Sequence, residues 1–215
     1  MRIVIAGGHG KIAMLLSRLL AEAGHEPIGL IRNPEHTDDL LAVGATPVVL
    51  DLEQSDVGEV ADVLGDVDAV VFAAGAGPGS SAERKLTVDR DGAILLADAA
   101  GEAGVRRLIV ISATGADDFH AESDDVFQVY LRAKSEADAM VRGRDLDWTI
   151  VRPGALTNDA ATGLVNIGET VDSGRIPRAD VAALVARLIV ENGAIHRQFE
   201  VVSGDTPIAE AVLSL

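Results

Sequence analysis

Tyr130 and Lys134 are the pair of side chains whose types and spacing most clearly indicate chemistry. Tyr130 is the single tyrosine of the chain, and Lys134 is one of only three lysines. Residues four positions apart share a helix face. Because a nearby ammonium lowers the pKa of a phenol, we expect Tyr130 to exchange a proton with a carbonyl or an alcohol. The competing interpretation is an ordinary exposed helix with a half-buried tyrosine and a solvated lysine.

Ser112 is the candidate partner of this pair, because it ends the fifth predicted strand. From that position its hydroxyl would donate a hydrogen bond to the same substrate oxygen. Thr114 follows in the run Ser-Ala-Thr and is an alternative donor.

A glycine-rich turn near the N-terminus indicates a phosphate-binding site. Gly7 permits a tight turn, Gly10 lets a phosphate approach the backbone, and Ala13 lets the next helix pack close to the sheet. Free N–H groups and the dipole at the helix N-terminus favour a pyrophosphate there. The alternative is a plain strand-to-helix turn that needs glycine for its geometry alone. The neighbours expected beside the phosphates are His9, Lys11 and Ile12, of which Lys11 is equally typical of an exposed first turn.

Arg32 directly follows the second predicted strand, where dinucleotide-binding folds face the adenosine ribose. An acidic residue there binds the 2′-hydroxyl of NAD, whereas an arginine suits the 2′-phosphate of NADP. No acidic residue is adjacent to Arg32 in the sequence. We therefore predict NADP(H) as the cofactor in preference to NAD(H), with a solvated arginine at a strand end as the alternative.

Two further strand ends carry residues that suit a bound nucleotide. Asp51 would accept a hydrogen bond from the adenine amino group, and Leu52 would cover the ring. A turn or helix-capping role is the alternative for Asp51. Small residues close the fourth strand and either let the backbone pass close to a cofactor or allow tight sheet packing; they are Ala73, Ala74 and Gly75.

Short apolar strands alternate with amphipathic helices from the start of the chain. Continuous apolar strands are typical of a parallel sheet that is buried on both faces. Right-handed crossovers then predict an α/β fold of the Rossmann type, a doubly wound parallel sheet in three α/β/α layers. We expect Ser55 to cap the helix that follows the third strand. The predicted strands are 2–6, 28–31, 46–50, 68–73, 107–112 and 147–152, and the long predicted helices are 82–103 and 126–142.

The pattern loosens after Pro153. Residues 163–176 resemble a loop with short extended pieces, and they precede a helix around 181–189, a strand at 198–202 and a tail helix at 207–215. We predict a single domain over residues 1–215, with a core at 1–153 and a small C-terminal lobe on the substrate side at 154–215.

Composition excludes several classes of protein. The net charge is −16, which repels phosphate backbones, so we predict no nucleic-acid partner. The chain has no Cys, which excludes disulfides and thiolate metal sites, and we predict no metal site. No apolar run is long enough to cross a bilayer, and no signal peptide is evident, so we expect no membrane contact and a cytoplasmic location.

The motifs occur in one order along nearly the whole chain, from Met1 to about Ser203. Together they resemble an atypical short-chain dehydrogenase/reductase, in the compact NAD(P)-binding subgroup described as epimerase/dehydratase-like. The segments that carry the resemblance are 7–13, 31–35, 72–75, 111–112, 130–134 and 151–154.

The resemblance implies a Rossmann core, NADP binding and a catalytic site of Ser112, Tyr130 and Lys134. The wider family carries an asparagine on the long helix, and here the matching position is Asp89, which would hold a water near Lys134. The segment Pro153, Gly154, Ala155 and Leu156 would pass the edge of the nicotinamide.

We expect an NADP(H)-dependent oxidoreductase that acts on a small carbonyl or related acceptor, with Tyr130 as the acid/base. One alternative is a redox sensor that binds NADP(H) without turnover and regulates a partner protein. Others are sugar epimerase or dehydratase chemistry and flavin or tetrapyrrole reduction. The acidic loop would repel an anionic substrate if it lines the mouth, although we slightly favour a solvated flap; its carboxylates are Asp117, Asp118, Glu122, Asp124 and Asp125. The sequence specifies neither the substrate nor the oligomeric state.

Overall fold

The computed structural model describes all residues from 1 to 215. Eleven strands and eight α-helices follow one another along the chain. The strands are β1 (Arg2–Ala6), β2 (Glu26–Ile31), β3 (Thr46–Val49), β4 (Ala69–Phe72), β5 (Arg107–Ile111), β6 (Asp147–Pro153), β7 (Ala155–Thr157), β8 (Leu164–Gly168), β9 (Arg175–Pro177), β10 (Arg197–Ser203) and β11 (Thr206–Pro207). The helices are α1 (Lys11–Glu22), α2 (Thr37–Ala42), α3 (Val57–Leu64), α4 (Ala82–Arg84), α5 (Gly92–Glu102), α6 (Val126–Arg142), α7 (Arg178–Val190) and α8 (Ile208–Leu213).

Nine strands form one sheet in the order β11-β8-β10-β6-β5-β4-β1-β2-β3. From β3 to β10 every neighbouring pair is parallel, and β8 and β11 close the far edge in antiparallel fashion. The predicted doubly wound parallel sheet is therefore confirmed. The strand order reverses between β1 and β4, and such a switch point opens a crevice at the carboxyl ends of the strands.

Each face of the sheet is covered by helices because alternate strand residues point to opposite sides. In β1, Ile3 and Ile5 join the core beneath α1 and α7, whereas Val4 and Ala6 join the core that α3, α5 and α6 cover. All residues of β4 and β5 are buried, including the charged Arg107. This two-sided burial explains why the strands are continuous apolar runs instead of alternating ones.

The segment after Pro153 is largely part of the central sheet. β10 pairs in parallel with β6, and α7 packs against α1 on the same face. Only β7 and β9 form a second, two-stranded sheet. β8, which lies between these two strands in the chain, belongs to the central sheet, so most of 154–215 widens the Rossmann sheet and the substrate-side lobe stays a prediction.

Two local predictions are wrong. The cap of α3 is Asp56, not Ser55. The Asp56 carboxylate accepts the backbone N–H of Glu59, and the backbone N–H of Asp56 donates to the Glu59 carboxylate, which together form a capping box. The long helix predicted for 82–103 is interrupted by a π-helical segment, Lys85–Asp91. The wider turn buries Lys85 and Asp89 beneath the carboxyl end of the sheet.

None of the helices combines the length and the apolar character needed to cross a membrane.

Candidate functional site

A groove follows the carboxyl ends of β1, β2, β4 and β5, where the switch point predicts one. Its first end, which we call the adenosine end, has a volume of about 350 Å³ and is lined by the glycine turn, Arg32, Asp51 and Leu52. Its second end, which we call the nicotinamide end, has a volume of about 640 Å³ and is lined by Ile12, Asp89, Ser112, Tyr130, Lys134 and Leu156. Both ends share Ala73, Ala74 and Gly75, so the two cavities form one continuous groove.

The glycine turn is built for close backbone approach. Gly7 has a φ of +77°, and a Cβ there would lie 2.6 Å from the Cα of Ala74. Gly10 is exposed and begins α1, which has neither a side-chain cap nor an acidic residue in its first turn. A Cβ on Gly10 would stand 3.0 Å from the carbonyl oxygen of Gly7. The uncapped N–H groups and the open backbone therefore suit an anionic group such as a pyrophosphate.

The three residues expected beside the phosphates differ in their position relative to the groove. His9 lines the adenosine end, stacks on His36 with the ring centroids 3.6 Å apart, and contacts Asp39 at 2.8 Å. Ile12 lines the nicotinamide end. Lys11 is exposed and does not line either end of the groove, which matches the interpretation of an ordinary first-turn lysine.

An acidic residue lies beside Arg32, although none is adjacent in sequence. A guanidinium nitrogen of Arg32 lies 3.5 Å from the carboxylate of Glu53, which also binds Arg84 at 2.6 Å and accepts a hydrogen bond from Thr87 at 2.7 Å. The hydrogen bond from Arg84, helped by the charge of Arg32, lowers the pKa of Glu53 below its ordinary value. This end of the groove therefore carries two arginines around the ionised carboxylate of Glu53, and Asp51 adds a second carboxylate to its lining.

Asp51 forms a local turn: its carboxylate accepts the backbone N–H of Glu53 at 3.0 Å. This contact is the turn role that the sequence left open as an alternative. Asp51 and Leu52 are half-buried and both line the adenosine end. The turn directs the carboxylate of Glu53 toward the two arginines.

Tyr130, Lys134 and Asp89 come together at the nicotinamide end. The Lys134 ammonium lies 3.3 Å from a carboxylate oxygen of Asp89 and 5.9 Å from the centre of the Tyr130 ring. It also donates a hydrogen bond to the Ile111 carbonyl at 3.2 Å. Asp89 in turn accepts the backbone N–H of Ala76 at 3.0 Å. The lysine and the aspartate are thus held on both sides, and the tyrosine ring lies above them.

The Ser112 hydroxyl is oriented away from the expected role. It donates to the carboxylate of Asp138 at 2.8 Å, and Asp138 is fully buried against Arg152. Thr114 donates instead to the carbonyl oxygen of Arg152. In this arrangement the hydrogen of Ser112 is directed to Asp138, and its oxygen is left able to accept a hydrogen bond. Neither hydroxyl is directed into the groove here, and donation from Ser112 to a substrate oxygen stays a prediction.

The pKa of Tyr130 moves in the opposite direction to the one expected. Burial raises it, the Lys134 ammonium opposes that rise, and the carboxylates of Asp89 and Asp138 add to it, so the pKa lies above the ordinary value for tyrosine. Although burial opposes the charged form of Lys134, its contacts with Tyr130 and the two carboxylates raise its pKa. Tyr130 is therefore a protonated phenol at neutral pH, and Lys134 is an ammonium.

Comparison with known proteins adds the family. The profile of NAD(P)H-binding proteins matches residues 7–192. The chain belongs to this NAD(P)H-binding family. An uncharacterized sugar epimerase of Bacillus subtilis, YhfK, is 35% identical over 100% of both chains. A Bacillus halodurans protein provisionally assigned as an NAD-dependent epimerase/dehydratase is 37% identical, with a TM-score of 0.91 over 100% of both chains. The oxidoreductase ylbE of Lactococcus lactis is 29% identical, with a TM-score of 0.87 over 100% of this chain and 96% of that one.

These matches confirm the resemblance and the Rossmann fold. They also show that this NAD(P)H-binding protein lies within a group named for epimerase, dehydratase and oxidoreductase chemistry.

Lys85 is a site residue that the sequence analysis missed. Its ammonium donates a hydrogen bond to the Gly77 carbonyl at 2.8 Å and lies 5.3 Å from the centre of the Tyr130 ring. Phe127 and Val126, in the first turn of α6, line the same end of the groove. The π-helical segment brings Lys85 there, and no pattern of apolar spacing indicates that turn.

Of the segment expected at the edge of the nicotinamide, only Leu156 lines the groove of this NAD(P)H-binding protein. Pro153 is buried at the end of β6, and Ala155 is exposed. A Cβ on Gly154 would lie 2.6 Å from the carbonyl oxygen of Gly174. The glycine is therefore required by packing, whatever this segment contacts.

Part of the acidic loop has a structural role instead of forming a solvated flap. Asp117 binds Arg152 at 2.6 Å and accepts from Ser135, and the hydrogen bond from Arg152 lowers the pKa of Asp117 to about 2. Asp125 caps α6 by accepting the backbone N–H groups of Phe127 and Gln128. Asp125 is the one carboxylate of this loop that lines the groove.

Proposed function

We propose that this chain is an NADP(H)-dependent oxidoreductase that reduces a small carbonyl compound or a related acceptor, with Tyr130 as the general acid. One observation carries the proposal. A single groove joins the open glycine turn and the two arginines at one end to the tyrosine and lysine at the other. A dinucleotide has its phosphates in the middle and its two bases at opposite ends, which matches this arrangement.

The lining residues fit the parts of that cofactor. Gly7 and Gly10 would leave room for the pyrophosphate, since a Cβ on either residue would crowd backbone atoms that lie within 3.0 Å. Asp51 and Leu52 would contact the adenine, and Ala73, Ala74 and Gly75 would let the backbone pass close to the middle of the molecule. Lys134 would bind the hydroxyls of the nicotinamide ribose.

The preference for NADP(H) over NAD(H) is supported by the two guanidinium groups of this end. Arg32 and Arg84 flank the carboxylate of Glu53, and the carboxylate of Asp51 lines the same end, so the support does not come from an excess of positive charge. Guanidinium groups bind phosphate oxygens in a bidentate manner, which suits the 2′-phosphate.

Bound NADPH would supply the hydride. Tyr130 would donate a hydrogen bond and then its proton to the substrate oxygen, because its raised pKa keeps the phenol protonated at neutral pH. Lys134 would stabilise the phenolate that remains, and Asp89 would hold Lys134 in place at 3.3 Å. Ser112 would accept a hydrogen bond from a donor in the groove, since its own hydrogen is directed to Asp138.

Two other functions have specific support. The orientation of Ser112 removes a donor that a reductase would use, which favours a redox sensor that binds NADP(H) without turnover. The Bacillus subtilis relative is named a sugar epimerase, and in that chemistry a hydride is removed and returned on the same site.

The test combines nucleotide binding with turnover. Calorimetric titration with NADPH, NADP, NADH and NAD is followed by NADPH consumption with a panel of carbonyl compounds. Tyr130→Phe keeps the ring and removes one hydroxyl, so we expect NADPH affinity to change by less than about threefold and reduction to fall by about 10²–10⁴. The rate should be constant across neutral pH and decline only when the pH exceeds the raised pKa of Tyr130, because the acid must be protonated.

Equal turnover by the parent and Tyr130→Phe would exclude Tyr130 as the acid. NADPH binding that alters a partner interaction, without reduction of any acceptor, would favour the sensor. Retention of the hydride in an isomerised sugar would favour the epimerase.

A further inference from the structure

The polar side chains of the nicotinamide end are almost all engaged inside the protein. Ser112 donates to Asp138, Lys85 donates to the Gly77 carbonyl, and Asp125 accepts two backbone N–H groups of α6. Lys134 and Asp89 bind each other, and both also bind the backbone. Tyr130 is the exception, because none of the hydrogen bonds in the chain involves its hydroxyl. The Tyr130 hydroxyl is therefore the side-chain group of this end that has no internal partner, while the ammonium groups of Lys85 and Lys134 each keep at least one unused N–H.

Apolar groups surround that donor. Phe127 is 61% exposed and Val126 is 41% exposed, although both are large hydrophobic residues at the start of a helix. The Phe127 ring lies 6.1 Å from the Tyr130 ring, centre to centre, with their planes inclined by 31°. Pro78 and Leu156 line the same end of the groove. We call Pro78, Val126, Phe127 and Leu156 the apolar rim.

We infer that the substrate is an aromatic carbonyl compound: a flat apolar body with one carbonyl oxygen that accepts from Tyr130, and not a sugar or a nucleotide-sugar. This inference rests on the proposed function and specifies its substrate. The ring of such a compound would lie against Phe127 and the apolar rim, as aromatic groups do in offset or tilted pairs. Its carbonyl oxygen would meet the unpartnered hydroxyl of Tyr130.

A sugar matches this end poorly, because several of its hydroxyls would face the apolar rim, whose side chains offer no hydrogen-bond partner. A polar group that loses water without gaining a partner opposes binding. A nucleotide-sugar also carries a diphosphate. The loop that leads into the apolar rim bears exposed Glu122, Asp124 and Asp125, and the whole chain has a net charge of −16, so this approach repels anions.

The reaction balances with the named cofactor. The hydride from NADPH forms a C–H bond at the carbonyl carbon, the C=O π bond breaks, and the Tyr130 proton passes to the oxygen. The products are a secondary alcohol, NADP and the Tyr130 phenolate, which regains a proton from solvent. No other oxidant or reductant is needed.

The experiment measures substrate binding and turnover in parallel. The first arm follows NADPH consumption with acetophenone and isatin, compared with glyceraldehyde, xylose and UDP-glucose. The second arm titrates the same compounds into the full chain saturated with NADP, by calorimetry, and needs no turnover. We expect the aromatic carbonyl compounds to bind and to be reduced. The hydroxylated compounds should show little or no binding and little or no reduction.

Two variants locate the binding surface. Phe127→Ala removes the ring of the apolar rim and should weaken aromatic carbonyl binding, or raise its KM, by about tenfold while NADPH affinity stays unchanged. Met140→Ala is the matched control, because Met140 is also an exposed apolar residue of α6 and does not line the groove. It should change neither quantity.

Comparable or stronger binding of the sugars would overturn the inference while leaving the proposed oxidoreductase intact. Aromatic binding that is insensitive to Phe127→Ala would overturn it as well. A lack of aromatic binding to a chain that demonstrably binds NADP would do the same. By contrast, failure to bind any nucleotide would contradict the proposed function itself.

Discussion

The two ends of the groove use ion pairs in different environments. At the adenosine end, the side chains of Arg32 and Arg84 are 57% and 34% exposed, and Glu53 between them is 19% exposed. At the nicotinamide end, Lys134 and Asp89 are 5% and 2% exposed. Charges of the same kind therefore act in water at one end and in the protein interior at the other.

This difference determines what each ion pair contributes. Exposed pairs contribute little to stability and are screened by salt, so the arginines of the adenosine end are free to exchange a carboxylate partner for a phosphate. A buried pair is expensive to break, because the remaining partner keeps an uncompensated charge away from water. The nicotinamide end therefore holds a fixed geometry, in which burial raises the pKa of Tyr130, and we expect substitutions there to affect folding as well as binding.

Lys134→Met should have the largest effect on stability. It leaves Asp89 buried without its cation, and such a change typically destabilises a protein by about 3–5 kcal/mol. Urea unfolding monitored by circular dichroism measures the loss. Lys11→Met is the matched control, since Lys11 is exposed and a change there should stay within about 0.5 kcal/mol. A similar loss of unfolding free energy in the two variants would show that the buried ion pair of Lys134 contributes no more to stability than an exposed lysine does.

Gly10→Val should lower the affinity for both NADPH and NADH by at least about 100-fold, which is roughly 2.7 kcal/mol of binding free energy. The branched side chain would occupy the space that a phosphate needs, and its Cβ would lie 3.0 Å from the Gly7 carbonyl oxygen. The fold should persist, because the φ of Gly10 is −64° and suits any residue. Gly101→Ala is the control, since a Cβ at Gly101 meets nothing within 4 Å. Unchanged affinity in Gly10→Val would place the phosphates elsewhere.

Arg32→Ala should remove most of the preference for NADPH over NADH. We expect that preference to be at least about tenfold in the parent chain, which is about 1.4 kcal/mol. Because Arg32 is exposed, the preference should also decrease as the salt concentration rises. Calorimetry with both nucleotides at low and high salt measures this, with Arg18→Ala as an exposed control on α1. An equal affinity of the parent chain for both nucleotides would contradict a contact with the 2′-phosphate and favour the alternative, in which Arg32 is a solvated arginine at a strand end.

Glu53→Gln should have the smallest effect. The amide keeps the shape of the carboxylate and removes one negative charge between Arg32 and Arg84, so NADPH should bind a few-fold tighter, by less than about 1 kcal/mol. The affinity for NADH, which lacks the 2′-phosphate, should not change. A lower affinity for NADPH would indicate that the main effect of Glu53 is to orient the two arginines, and not to neutralise their charge.

Local patterns predicted most of the fold. The apolar runs of β1, β4 and β5 and the amphipathic spacing of α6 were sufficient to place these elements, because burial on one or two faces leaves a direct trace in residue spacing. The cap of α3 was misplaced by one residue, since Ser55 and Asp56 are both good caps and only the paired contact with Glu59 distinguishes them. The π-helical segment left no trace in the apolar spacing.

The residues of the candidate site also fall into two groups, those that the sequence could predict and those that it could not. Gly7, Gly10, Tyr130 and Lys134 could be selected from sequence because their roles depend on residue type and short spacing, and the fold brings all four to one groove. Glu53 and Lys85 could not be selected, since each acquires its role from a residue far along the chain, Glu53 from Arg84 and Lys85 from Tyr130.

The sequence by itself determined the alternation of strands and helices from β1 to β6, the glycine turn, and the pairing of a single tyrosine with a lysine on one helix face. The tertiary structure alone decided the direction of the Ser112 hydroxyl, the neighbours of Arg32 and the sign of the pKa shift of Tyr130. The reason is physical. Hydrophobic periodicity is a local property of the chain, whereas desolvation and charge depend on every group that packs nearby, including Asp89 and Asp138 from distant parts of the sequence.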